Sequence, residues 1–107
     1  MYYSGASLSA VLVRRLGILA MTLDENVTPS LPETRRLYGV VVAAIPSELA
    51  ERNPGLKPGD IIYAMNTTKV RSLEELRTAL TGLKPGDPVA LLTERDRTLG
   101  YISFTLE

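Results

Sequence analysis

Apolar and polar positions alternate along this chain in short blocks that read as strands, with one longer block that reads as a helix. The sharpest block is Ile61-Ile62-Tyr63-Ala64-Met65, an apolar run that starts β-branched and carries one aromatic. A run this short between turn signals predicts a strand buried on both faces, because a helix needs more length. Gly55-Leu56-Lys57-Pro58-Gly59-Asp60 launches it. Gly59 tolerates positive φ, and Pro58 fixes its own φ while pushing Lys57 out of the helical region. Asn66 and the polar residues after it turn the chain again. Gly39 to Ile45 is a second β-rich run, apolar on both faces and therefore central, and Leu16 to Leu23 is a third. Pro88 to Glu94 and Leu99 to Leu106 are expected to pair as a terminal hairpin about Arg95-Asp96-Arg97-Thr98.

The helical block is Ser72 to Leu83. Ser72 and Glu75 have the spacing of a capping box, and Gly82 lies near the stop. At roughly 100° per residue, Leu76, Ala79 and Leu83 share one face, while Leu73, Arg77 and Leu80 share another about a quarter-turn away. A helix packed on one sheet needs only the first face. The second is either the flank of a wide core stripe or the wall of a groove. A shorter helix is predicted from Ser47, as its cap, through Arg52, with Pro54 stopping it. Asp24 to Tyr38 is a polar connection in which Thr28 before Pro29 starts one turn of helix and Pro32 forbids a longer one. Leu83-Lys84-Pro85-Gly86-Asp87 repeats Leu56-Lys57-Pro58-Gly59-Asp60 letter for letter. The flanking residues do not match, so one turn solution is used twice without duplication.

Composition narrows the chemistry. A chain of 107 residues builds a single domain with one core. Twelve basic and twelve acidic residues cancel, so no global field draws it to nucleic acid or to an anionic membrane. The absence of cysteine removes a disulfide framework and a thiolate zinc site; the absence of histidine removes the commonest general base and metal ligand. Lys57, Lys69 and Lys84 stand in turns with no sign of burial, which leaves a Ser-Lys dyad without the desolvation it needs. Gly55 and Gly59 precede a strand, where a phosphate-binding loop precedes a helix. The expectation is a domain without catalytic residues, cofactor or metal site. At the N-terminus Ser7 to Val13 is small and apolar, but Arg14 and Arg15 follow it, opposite to the charge order of a signal peptide. The run is also too short to span a bilayer. Residues 1–13 are expected to be a linker or the remnant of an upstream domain, with Ser7 to Val13 either that neighbour's last element or a lead-in strand. Residues 14–107 form the domain itself.

Gly55-Leu56-Lys57-Pro58-Gly59-Asp60-Ile61-Ile62, preceded by a glycine-led strand and followed by a capped helix, resembles a PDZ domain of the bacterial kind found in HtrA/Deg-type serine proteases. The likeness runs from about Leu16 to Leu106. It implies an α+β fold: a small β-sandwich or partly open barrel of five or six strands, with one short and one longer helix, in permuted strand order. It also implies a site. Arg15-Leu16-Gly17-Ile18 occupies the slot of the family's loop whose backbone N–H groups face a peptide's terminal carboxylate, with Arg15 where metazoan members usually carry glycine. Read on its own, Gly17 is either a turn glycine or a mark of close backbone approach.

By the same resemblance the long helix walls a groove, and a peptide adds as an antiparallel strand along Ile18 to Thr22. The implied contacts are Arg15, Leu16, Gly17, Ile18, Leu19, Ala20, Leu73, Arg77 and Leu80. Leu16, Ile18, Ala20 and Leu80 would line the pocket for the terminal side chain, and Arg14 or Arg15 would support the carboxylate. Leu73 stands where many metazoan members carry a histidine that reads Ser or Thr. The HtrA catalytic triad needs a histidine that this chain lacks. The implied partners are C-terminal peptides of unfolded or partner proteins and an adjacent protease domain, in the bacterial cell envelope or periplasm, with no nucleic acid and no membrane insertion. The competing reading is an assembly element, whose groove or Ser7 to Val13 segment contacts a neighbouring domain or chain with no free ligand.

Overall fold

The computed structural model describes residues 10–23 and 38–107. Residues 1–9 of the expected linker or remnant and the turn of helix expected at Thr28-Pro29 lie outside the described residues. Seven antiparallel strands form one open sheet: β1 (Val11–Val13), β2 (Ile18–Thr22), β3 (Val40–Ala44), β4 (Ile61–Met65), β5 (Thr68–Lys69), β6 (Pro88–Arg95) and β7 (Thr98–Thr105). Their order across the sheet is β1-β2-β3-β4-β6-β7, with β5 pairing β4 to one side. Among the described residues, one α-helix, α1 (Leu73–Thr81), and two 3-10 helices, Arg14–Leu16 and Ser47–Arg52, complete the α+β fold. The described residues thus form one or two strands more than the expected five or six, and the shortest are β1 and β5.

The central strands are buried on both faces, and the reason is visible residue by residue. Val40, Val42, Ile62 and Met65 enter the main core with Leu56, Val70, Leu76, Leu80, Val89 and Leu91, while Val41, Ile61 and Tyr63 join Leu23 in a smaller cluster on the opposite face. Side chains alternate across a strand, so an unbroken apolar run feeds two cores at once. The polar groups drawn inward are paired: the buried Tyr63 hydroxyl donates to Oε1 of buried Glu94.

The repeated pentapeptide folds the same way both times. The Lys57 and Lys84 carbonyls accept from the Asp60 and Asp87 amides at 3.0 Å each, and Gly59 and Gly86 both sit at φ 95°. In each copy the aspartate side chain accepts back from the lysine amide, at 2.9 Å in the first and 2.8 Å in the second. Two expectations about helix ends need correction. Ser47 does not cap the 3-10 helix: Pro46 holds the cap position, and no side chain bonds to it. At α1 the Ser72 Oγ accepts from the Glu75 amide at 3.2 Å, but Glu75 returns its bond to the Arg71 amide at 2.7 Å instead of to Ser72. The terminal turn is two residues, Asp96-Arg97, both at positive φ, so the strands run one residue further on each side than their apolar pattern indicated.

Candidate functional site

The loop before β2 is built by its own sequence. Arg14–Leu16 make one turn of 3-10 helix, and Gly17 ends it in the left-handed conformation at φ 65°, its amide donating to the Arg14 carbonyl at 3.1 Å. A Cβ on Gly17 would lie 2.5 Å from the Leu49 carbonyl oxygen and 2.9 Å from the Asn53 nitrogen. Of the two readings of this glycine, both hold: it is the turn residue, and it admits the backbone of the Ser47–Arg52 helix. Leu16 is fully buried beneath the loop.

Helix α1 is pinned alongside β2 at both ends. At its start the Leu73 amide donates to Thr22 Oγ1 at 3.0 Å. At its finish the Arg15 guanidinium donates through Nη1 to the Leu80 carbonyl at 2.7 Å and to the Leu83 carbonyl at 3.2 Å. The last carbonyls of a helix have no internal partner and carry the negative end of its dipole, so a guanidinium there answers both needs. Arg15 is therefore engaged with the helix end, and Arg14 is the exposed arginine of the loop.

Four residues expected to line a terminal side-chain pocket, Leu16, Ile18, Ala20 and Leu80, are brought together with exposures of 0%, 0%, 0% and 4%. What completes their packing is Val13, in the same apolar cluster. Strand β1 runs antiparallel to β2 on the edge away from β3, pairing Val11 with Ala20, Leu12 with Leu19 and Val13 with Ile18. Between this strand and α1 remains a cleft of about 300 Å³, with Leu12, Val13, Arg14 and Arg15 on one side and Arg77, Leu80 and Thr81 on the other. The charged groups of this lining are all basic.

The remaining candidates are spread out. Arg77 is exposed on the cleft rim. Leu19 is half-buried on the face of β2 opposite to Ile18 and Ala20, and Leu73 lies at the Thr22 end; neither lines the cleft. The two faces expected on α1 merge into one broad stripe: Leu76 and Leu80 are buried, flanked by half-buried Leu73, Ala79 and Leu83. Sequence reasoning missed Val11, Leu12 and Val13 as parts of the site. Their signal was a β-branched run joined to the next strand by a short turn containing glycine, which is a hairpin pattern.

A sequence model of the PDZ-domain family matches residues 15–106. A protein of Haemophilus influenzae described as a periplasmic serine protease, do/HhoA-like, is 34% identical over 86 residues, covering 78% of this chain and 18% of that protein. A zinc metalloprotease homologue of Agrobacterium fabrum is 34% identical over 61 residues, 57% of this chain and 16% of that protein. The chain thus spans less than a fifth of the length of these relatives. Among solved structures, the HtrA3 PDZ domain bound to a phage-derived ligand (FGRWV) superposes with a TM-score of 0.69 at 22% identity, over 86% of this chain and 84% of that one.

Proposed function

This chain belongs to the PDZ-domain family, and from that premise we propose that it is a non-catalytic module that captures apolar protein C-termini by strand addition along β2. The observation that carries the reading is Val13. An extended segment already lies antiparallel on the edge of β2 away from β3, and its valine fills the apolar site formed by Leu16, Ile18 and Leu80. The surface therefore accepts a strand ending in a small aliphatic side chain. Main-chain bonds supply affinity independent of sequence, and alternate side chains meet pockets. The peptide-bound HtrA3 domain of the same fold supports the ligand class. The charged side chains of the cleft lining, Arg14, Arg15 and Arg77, support a partner that carries a carboxylate. In this reading Arg77 favours an acidic ligand residue near the C-terminus by less than about 1 kcal/mol, because it is solvated.

The periplasmic serine protease relative supports a place beside a protease domain in the bacterial cell envelope, where the module would take C-termini of unfolded or partner proteins. A second reading, the assembly element, is favoured by the same segment, since β1 already pairs with Ile18, Leu19 and Ala20 of β2. Titrating the full chain with FGRWV as free acid and as amide separates them. Loss of a charge-assisted bond typically costs about 1.5–3 kcal/mol, so the amide should bind roughly ten- to a hundredfold more weakly. Equal affinity would remove the terminal carboxylate from the recognition, and no binding by either would favour assembly.

A further inference from the structure

We infer that β1 is a tethered internal ligand, which an incoming peptide must displace before it can occupy the carboxylate end of the groove. The inference rests on the proposed peptide-binding reading and adds a mode of regulation to it. Four observations carry it. First, β1 runs towards the Arg14–Gly17 loop, antiparallel to β2, so its direction is that of a peptide whose C-terminus meets the loop. Second, Val13 stands opposite Ile18 with 5% exposure, inside the cluster of Leu16, Ile18, Ala20 and Leu80, so the terminal side-chain site is filled. Third, the Gly17 amide is spent on the Arg14 carbonyl of the same turn. Fourth, the family match begins at Arg15, which leaves β1 outside the pattern that the family shares.

The hold is strong in position and weak in extent. A four-residue loop, Arg14 to Gly17, joins β1 to β2, which gives the segment the high effective concentration of a short tether. A ligand that binds only the open form has its apparent affinity lowered by the fraction of molecules that are open. Yet β1 is three residues long, Val11 and Leu12 are only half-buried, and among the described residues its pairing stops at Ala20. None of the described residues of β1 pairs with the Met21 and Thr22 end of the edge. A peptide longer than three residues can therefore pair there first through its upstream residues and then peel β1 away, so the domain selects for extended C-terminal tails.

The test uses the full chain, which has no native cysteine. Leu12→Cys with Leu19→Cys places two thiols directly opposite on paired strands, near the spacing that a disulfide bridges. Oxidation locks β1 in place; reduction frees it. Labelled FGRWV should bind the reduced protein at least tenfold more tightly than the oxidised one. A second variant, Val11→Gly with Val13→Gly, should bind about tenfold more tightly than the unaltered chain. Equal affinity of oxidised and reduced protein, or failure of the disulfide to form, would overturn the inference while leaving peptide binding intact. If the unaltered chain, the reduced variant and the glycine variant all fail to bind, the peptide-binding reading falls, and the inference falls with it.

Discussion

Arg95 reaches back to Asp60 with two hydrogen bonds, Nε to Oδ1 at 2.8 Å and Nη2 to Oδ2 at 2.6 Å, and tethers the turn that launches β4 to the end of β6. Nη2 also donates to the Gly55 carbonyl at 2.9 Å. Asp60 is buried, at 1% exposure, while Arg95 keeps part of its guanidinium in solvent. The hydrogen bond to the carboxylate lifts the arginine above its already high ordinary value.

The repeated turn provides an internal control for that pair. Asp87 makes the same return bond as Asp60 but has no arginine partner among the described residues. Asp87→Ala should cost about 0.5–1.5 kcal/mol, the usual worth of one hydrogen bond. Asp60→Ala also removes the acceptor of two guanidinium hydrogen bonds and should cost more, about 1.5–3 kcal/mol, because the part-exposed Arg95 is re-solvated. Urea denaturation of both variants decides the matter, and equal losses would mean that Arg95 adds nothing to the turn.

Acid should loosen the start of α1. Hydrogen bonds from the Arg71 guanidinium, and then from its amide, hold the exposed Glu75 carboxyl below its ordinary value. A depressed carboxyl stabilises the fold above the ordinary glutamate range, and that stabilisation disappears as pH falls through the depressed value. The stability gap between the unaltered chain and Glu75→Gln should be present at neutral pH and closed in strong acid. A gap that stays constant across the titration would show that the ion pair is not its source.

The Asp96-Arg97 turn stores a removable cost. Both residues sit at positive φ, 52° and 67°, where only glycine is free of penalty. Arg97→Gly should therefore stabilise the domain by about 1 kcal/mol, read as a higher denaturation midpoint. A lower midpoint would show that contacts of the Arg97 side chain outweigh the backbone relief.

Leu73 leads to a statement about specificity. Under the proposed binding mode Leu73, at the helix start beyond the cleft, meets the ligand residue two before the C-terminus and has no group to bond a hydroxyl there. Burying that hydroxyl unpaired costs about 1–3 kcal/mol. Two peptides differing only there, Val against Thr, should bind with Val ahead. The internal strand carries valine at the corresponding position, Val11, two residues before Val13. Tighter binding by Thr would move Leu73 off the ligand face.

What the sequence made legible was local. Lys-Pro-Gly-Asp states its turn within four residues, and Ile61 to Met65 states a doubly buried strand, because both depend on neighbours in the chain. The distant pairings were not legible. Arg15 meets carbonyls 65 and 68 residues away, where it caps α1, and no pattern around Arg15 announces a helix end. Ser47 had the chemistry of a cap but was placed one residue too late, after Pro46, to serve as one. Strand β1 lies in Ser7 to Val13, where the sequence leaves a neighbour's last element and a lead-in strand both open, since three apolar residues beside an arginine pair carry too little periodicity to fix which sheet edge they will take.

The contact between Gly17 and the 3-10 helix distributes mutational tolerance unevenly. The atoms that crowd Gly17 are a carbonyl oxygen and an amide nitrogen, main-chain groups that Leu49 and Asn53 would present whatever their side chains. Within the helix itself Ser47, Glu48, Ala50, Glu51 and Arg52 point to solvent. In a saturation library, then, the column at Gly17 should be nearly empty while the columns across this helix stay crowded. The loop's shape is guarded by one irreplaceable residue and a set of interchangeable ones, so drift along the helix can proceed without disturbing the Arg14–Gly17 loop.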